Sequence, residues 1–530
     1  MMERLANRIL LTTGWKRALL AFCAGAFAVL GQPPFQLFIV CFISFPILVW
    51  MLDGAVARPT RSLFAAMWPA FATGWWFGFG YFIAGLWWIG NALFVEADQF
   101  VWLWPFAVTL IPAVLALFYG LAAVVARLLW SDGIGRIAAL ALGFGLAEWL
   151  RSFAFTGFPW NAVGYAAMPV PVLMQSASLV GIYGVNALAV FVFCLPAAFA
   201  GGRRQAGFAA LSVIALLGAH VGYGYWRLEN AADIAVDAPL VRIVQPAIDQ
   251  SEKWDAAIRD EIFKTLLDLT LEAGTGGKRP DIIVWPETSV PYLLTEAPQA
   301  VAAIAETLVP GQLLLAGAAR GGEADPSTGQ RTYYNSILVL DGDGVIVDAA
   351  DKKHLVPFGE YLPFKALLEK LGMKAIAAAD RGYSAAERRR TMTLPNGMVV
   401  LPSVCYEAIF PYAVAASGDK PTVLVNVTND AWYGDTPGPY QHAHQARIRA
   451  LETGLPIVRA ANNGISAVYD PYGRQLDALG YGVRGAVEAP LPDSLAATWY
   501  ARNGRLTLSA ILAFFALAAI AGRVRGRNRH

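Results

Sequence analysis

The chain has 530 residues, of which 56% are hydrophobic and only 15% charged, with a formal net charge of +2. That is too apolar for an ordinary water-soluble globule and requires contact with lipid. The near-neutral balance leaves no basic footprint for nucleic acid, and no glycine-rich phosphate loop follows a predicted strand.

The apolar residues are concentrated before about residue 226, whereas residues from about 228 to 495 have the composition of a soluble domain. A bilayer core of about 30 Å takes roughly 20 apolar residues per helix. On that basis spans fall near 18–31, 35–53, 63–89, 101–126, 134–150, 177–200 and 206–225, with an eighth near 505–522. The first is short, but the apolar span that follows within a few residues argues against a cleaved signal peptide. Lys and Arg are retained on the cytoplasmic side. Arg4, Arg8, Lys16 and Arg17 precede the first span, Arg58 and Arg61 separate the second and third, Arg127 and Arg136 flank the fourth connection, Arg203 and Arg204 lie in the sixth, and the tail "RVRGRNRH" is basic. The intervening "NALFVEADQF" is acidic. Both termini are therefore expected in the cytoplasm and the soluble domain outside. The expected division is 1–226 for seven N-terminal transmembrane helices, 227–500 for an external catalytic domain, and 501–530 for a last helix and a basic tail. Glu148 and Arg151 sit near a span end, where charge is costly and is either functional or ion-paired.

Within the soluble part, "VRIVQP", "DIIVWPE", "QLLLAGA", "NSILVLD", "MVVLPSV" and "TVLVNVTND" are short Val, Ile and Leu rich runs ending in Pro, Asn or Asp, and read as strands. Helix-like segments, notably "SEKWDAAIRDEIFKTLLDLTLEAG" and "YQHAHQARIRALETG", alternate with them. The alternation predicts a layered α/β domain.

Three segments end an expected strand with a chemically capable residue: "DIIVWPETS" with Glu287, "DKKHLVPFGEYLP" with Lys352 and Lys353, and "SVCYEAIFP" with Cys405. Cys23, Cys41 and Cys194 lie in apolar spans, so no disulfide framework or CxxC metal site can be built. A free thiol, with a pKa of about 8.5, needs a base or cation nearby to become a nucleophile at neutral pH. Glu287 is placed to take the thiol proton. Attack on a carbonyl creates an oxyanion, for which a lysine ammonium and the amide of Tyr406 are candidate donors. Spacing leaves Lys352 and Lys353 open; in an extended "KKHLV", Lys352 and His354 share one face and Lys353 the other. His442 and His444 are two apart, not at the i, i+4 spacing of a helical zinc pair, so no metal is expected.

These segments resemble the nitrilase or carbon-nitrogen hydrolase superfamily, whose Glu-Lys-Cys triad occurs in that chain order with the lysine two residues before His-Leu; the pattern selects Lys352. Together with the spans, the chain is similar to the apolipoprotein N-acyltransferase family. The further matching pieces are "EWLRSFAFTGFPWN" at 148–161, "VQPAIDQSEKW" at 244–254, "HLVPFGEYLP" at 354–363, "VCYE" at 404–407 and "VNVTNDAWYGDTPGPYQH" at 425–442.

The resemblance implies an αββα sandwich on a multi-pass helical domain in a bacterial inner membrane, with the sandwich in the periplasm and no cofactor. It implies a ping-pong reaction. Cys405 takes an acyl chain from a membrane phospholipid, typically phosphatidylethanolamine, and the thioester passes to the α-amino group of the S-diacylglyceryl cysteine of an apolipoprotein. Glu287 is then base and acid and Lys352 holds the tetrahedral intermediate, while Glu360, Tyr406 and Glu407 complete the pocket and Trp254 and Trp432 are aromatic positions near it. Glu360 and Glu407 are equally suited to holding loops, and Trp254 and Trp432 to packing. The apolar segments "FKALLEKLGMKAIAAA" at 364–379 and "SVPYLLTEAP" at 289–298 are expected to dip toward the interface or gate lipid entry. Two other classes stand beside this one. One is a membrane-tethered amidase or nitrilase-like hydrolase with water as acceptor; the other is a transporter with an external binding domain, which calls for ionisable groups or broken helices at mid-membrane depth.

Overall fold

A bilayer offers no water to backbone N–H and C=O groups, so apolar stretches there close their hydrogen bonds internally as helices. The computed structural model describes residues 2–57, 62–253, 255–272, 274, 277–324, 331–363, 382–411 and 418–527. It has a helix at every expected span: Gly14–Ala28, Cys41–Asp53, Leu63–Leu86, Trp104–Leu128, Gly135–Arg151, Ala177–Cys194, Arg203–Glu229 and Trp499–Arg527. Among the described residues, six helical segments are long and apolar enough to cross a membrane: Gly14–Gly31, Leu63–Phe94, Ala97–Leu128, Ala177–Ala200, Arg203–Glu229 and Trp499–Arg525. Cys41–Asp53 has 13 residues and Gly135–Arg151 has 17, so both are shorter.

The chain divides into two compact units, one of residues 1–90, 102–231 and 498–530, the other of 91–101 and 232–497. In the first, the helix Leu63–Leu86 packs on Gly14–Ala28 and on Trp104–Leu128, and Gly135–Arg151 packs on Trp104–Leu128, Ala177–Cys194 and the C-terminal helix. Helices in lipid are held by close packing rather than by a hydrophobic drive. A Cβ on Gly80 would lie 2.0 Å from the Phe22 carbonyl oxygen, so only glycine permits that crossing. Leu211, Ile214, Phe514 and Leu517 face outward, an apolar surface suited to lipid. Glu148 and Arg151 are fully buried and paired with each other. The Tyr119 hydroxyl donates to Glu148 Oε1 at 2.8 Å, and Arg151 Nη1 donates to the Trp160 carbonyl at 2.9 Å. Every charge is thus answered locally, which fits a structural pair.

The second unit is built on two six-stranded sheets, ordered β12-β1-β2-β3-β4-β5 and β11-β10-β9-β8-β7-β6. In the first sheet β1 (Leu240–Gln245), β2 (Ile282–Trp285) and β3 (Leu313–Ala324) run parallel, joined by the helices Arg259–Leu271 and Pro298–Thr307; β4 (Arg331–Asp341) and β5 (Ile346–Asp351) continue antiparallel. In the second, β7 (Val399–Val404), β8 (Val423–Thr428) and β9 (Ile457–Ala461) are parallel, with the helix Pro437–Thr453 between β8 and β9. The edges are β6 (Met392–Thr393) on one side, and β10 (Ser466–Tyr469) and β11 (Gln475–Leu479) on the other; β12 (Gly485–Pro490) returns to pair with β1. Strands β1 and β2 pack against β9, and β4 against β7, so the sheets face each other. Val244, Ile283, Trp285, Leu314 and Leu338 form one core with Leu266 and Ile304 from the covering helices; Leu401, Leu424, Ile457 and Ala467 form another with Ala450. This is the layered sandwich expected from alternating strands and helices. Buried on both faces, its parallel strands read as continuous apolar runs rather than alternating ones.

Candidate active site

The parallel strands β2 and β7 and the antiparallel β5 each end at one of the expected reactive groups. Cys405 follows β7 and opens a short 3-10 turn, Cys405–Ile409, with φ of 52°. A positive φ is costly for a residue with a Cβ and persists only where surrounding contacts impose it. The Asn426 side chain on neighbouring β8 supplies some of them, donating to the Ser403 carbonyl at 3.0 Å and to the Cys405 carbonyl at 3.3 Å. Cys405 is 6% exposed. Burial, and after it the Glu287 carboxylate, push the thiol well above its ordinary value, while Lys352 and the Thr428 hydroxyl pull the other way and do not prevail. Burial thus keeps the Cys405 thiol neutral.

Glu287 stands two residues beyond β2, after Pro286. The turn is tight: a Cβ on Gly317 of β3 would lie 2.3 Å from the Pro286 carbonyl oxygen, and Ser289 N donates to the Gly317 carbonyl at 2.8 Å. Asn335 Nδ2 on β4 donates to Glu287 Oε1 at 2.7 Å and to Glu360 Oε1 at 2.9 Å. Lys352, one residue past β5, donates to Glu360 Oε1 at 2.9 Å and has Glu287 Oε1 at 3.5 Å. Its ammonium is 1% exposed. Burial opposes its charge, but Glu360 and Glu287 together outweigh that and hold it above the usual lysine value. Lys352 is therefore a fixed cation, and Glu360 its principal counter-ion. Val356 N also donates to Glu360, at 2.9 Å.

Glu407 has both oxygens engaged. Oε1 accepts from Lys353 N and His354 N at 3.0 Å each and from Arg389 Nη2 at 2.7 Å; Oε2 accepts from Val404 N at 2.8 Å. Burial would raise this carboxyl, but Arg389 and the backbone donors of Val404 and His354 hold it below its ordinary value. It ties the loop after β5 to the end of β7. Tyr406 is buried, its ring edge-on to Phe410 at 5.1 Å and to His354 at 5.5 Å. Trp432 is half-buried in the 3-10 turn Asp430–Tyr433. Trp254 lies outside the described residues, as does the segment 364–379.

Two groups at this cluster escape sequence reasoning. Asn335 is a lone amide in an apolar strand, visible only once β4 pairs with β5 and brings Lys352 N to its carbonyl at 2.8 Å. Lys253 reads as a surface lysine in "QSEKW", yet it is 2% exposed and donates to the Glu287 carbonyl at 3.0 Å and the Thr288 hydroxyl at 2.9 Å. Burial lowers it to about 8 against the attraction of Glu287. A cavity of 260 Å³ lies nearby, lined by Tyr334, Asp351, Arg388, Arg389, Pro402 and Glu407 among others; of the expected site residues it touches Glu407, not the thiol.

A buried carboxylate, ammonium and thiol on three strand ends can move a proton and hold an oxyanion while a thiol attacks a carbonyl. Residues 24–195 match the model of the apolipoprotein N-acyltransferase N-terminal domain, and residues 240–500 match that of carbon-nitrogen hydrolase. An apolipoprotein N-acyltransferase from Brucella suis is 52% identical over the whole of both chains. One from Sinorhizobium medicae is 55% identical over 93% of each. An amidase from Nesterenkonia sp. overlies 53% of this chain and 98% of its own at 18% identity, with a TM-score of 0.36.

Proposed function

The chain belongs to the apolipoprotein N-acyltransferase family, and from that premise we propose how its own residues carry out the N-acylation of a lipoprotein. As a phospholipid ester enters, Glu287 takes the Cys405 proton and Sγ attacks the acyl carbonyl. The oxyanion is held by Lys352, whose charge Glu360 and Glu287 secure. Collapse expels the lysophospholipid, which leaves with the proton from Glu287, and the acyl chain remains as a thioester on Cys405. The α-amino group of an S-diacylglyceryl cysteine then attacks, Glu287 takes the amine proton, and the thiolate leaves and is reprotonated. Phosphatidylethanolamine is the proposed donor. A neutral resting thiol favours this concerted removal of the proton by a base over a preformed thiolate.

The observation that carries the reading is the position of Lys352 within 3.5 Å of Glu287, with both acting electrostatically on the Cys405 thiol at its strained turn. Seven N-terminal helices and the C-terminal one, including the two shorter ones, are proposed to cross a bacterial inner membrane, with the two-sheet unit in the periplasm and both termini in the cytoplasm. The reason for such an anchor is energetic. Each buried CH₂ is worth about 0.8 kcal/mol, so pulling a long acyl chain into water is prohibitive and the enzyme must work where the lipid is. Intact mass analysis of the protein purified from membranes tests the reading. Wild type should carry one fatty acyl group and Cys405→Ala none; a Cys405→Ala protein that still acylates lipoprotein N-termini overturns it.

A further inference from the structure

Beside Cys405, the end of β8 carries a second polar cluster that the mechanism above does not use. The Thr428 hydroxyl lies 3.5 Å from Cys405 Sγ and 3.2 Å from Asp430 Oδ1. Asp430 is fully buried; its Oδ1 also meets His442 Nδ1 at 2.8 Å, and its Oδ2 accepts from Arg459 Nη2 at 2.7 Å. Burial would raise this carboxyl, but Arg459 and His442 hold it below its ordinary value, so Asp430 accepts hydrogen bonds and donates none. Thr428 has one hydroxyl proton and two acceptors within reach. Among the described residues, the charged and titratable groups acting on the thiol include Glu287, Lys352, Lys253, Asp430 and Tyr433, and the Thr428 hydroxyl donates to its sulfur.

We infer that Thr428 is a further catalytic residue: its hydroxyl turns from Asp430 to Cys405 Sγ as the thiol proton passes to Glu287, and so supports negative charge on the sulfur in both half-reactions. The hydroxyl keeps its own proton throughout, and the only proton transferred is that of the thiol. Asp430 is not orphaned by the rotation, because His442 and Arg459 remain on it. A donor to an ionised acceptor is roughly twice as strong as one between neutral groups, so the contact gains strength when charge forms on the sulfur. Without it, leaving the thioester and forming it are both slower.

This inference rests on Cys405 being the nucleophile, and its test reads the sulfur itself rather than acyl transfer. Full-length wild type, Thr428→Val and Thr428→Ser, stripped of any acyl group with hydroxylamine and held in a detergent that contains no acyl ester, are treated with iodoacetamide across neutral and alkaline pH. Modification of the Cys405 peptide is followed by mass, which separates it from Cys23, Cys41 and Cys194. Thr428→Val, which keeps the shape and loses the hydroxyl, should alkylate about tenfold more slowly at neutral pH, its profile moved to higher pH by about one unit. Thr428→Ser should return to within about threefold of wild type. Superimposable Thr428→Val and wild-type profiles overturn the inference. So does a Thr428→Ser protein as slow as Thr428→Val, since that assigns the position to packing of the methyl group. Neither outcome touches the acyl-enzyme test with Cys405→Ala, so the two readings fail separately.

Discussion

Glu287 and Lys352 are asked for different things, and their substitutions should separate. Glu287→Gln keeps the Asn335 contact in outline but cannot accept a proton; acyl-enzyme formation should fall by about 10² to 10⁴. Lys352→Met removes the cation and leaves Glu360 buried without its partner, so it should lose about 10² to 10³ in rate and also unfold at lower temperature. Stopped-flow loading from a fluorescent phospholipid, alongside thermal unfolding, distinguishes a chemical loss from a structural one. Lys253 offers a pH signature. Its folded value of about 8 lies below the roughly 10.4 of an unfolded lysine, so between those limits the unfolded chain binds more protons and stability rises with pH. The folded state is penalised most below pH 8. A Lys253→Met protein lacks that rise, so its melting temperature relative to wild type should decline steadily from neutral pH toward about pH 10.

The elements that carry these side chains show what a sequence discloses. Cys405 and Glu287 stand out because each follows an apolar run and has reactivity of its own, whereas only the family pattern separates Lys352 from Lys353. Asn335, Thr428 and Asp430 act through partners on other strands, and their roles exist only once β4 pairs with β5 and β8 lies beside β7. Strands β11 and β12 escape the apolar-run criterion because both are largely half-exposed and carry small or charged residues. The C-terminal helix begins at Trp499, several residues before its apolar stretch, since polar residues extend a helix without contributing to hydropathy. The Glu148–Arg151 pair offers a measurement at this scale. Arg151→Leu strands a buried carboxylate and should cost about 3–5 kcal/mol, whereas the double change Glu148→Gln with Arg151→Met should cost much less. Unfolding followed in detergent resolves the two; equal losses would mean that the pair is not the issue.

At the scale of the molecule, an even number of crossings returns the chain to the side on which it began. Single cysteines placed after Met2 and near Arg525 should resist a membrane-impermeant maleimide in spheroplasts, while one at the exposed Val345 reacts. Labelling at one terminus alone would show an odd number of crossings, and labelling at both would invert the proposed topology. The expectation of sidedness was readable from Lys and Arg placement, a property of the sequence itself, and the labelling tests it. The reach of Glu407 was not. This one carboxylate holds Val404 at the end of β7, in one sheet, and the Lys353 and His354 amides just past β5, in the other. In the proposed reaction Cys405 and Lys352 share a geometry only once both halves of the sandwich have met at that clasp, so loading with fat would be a late event confined to completed copies.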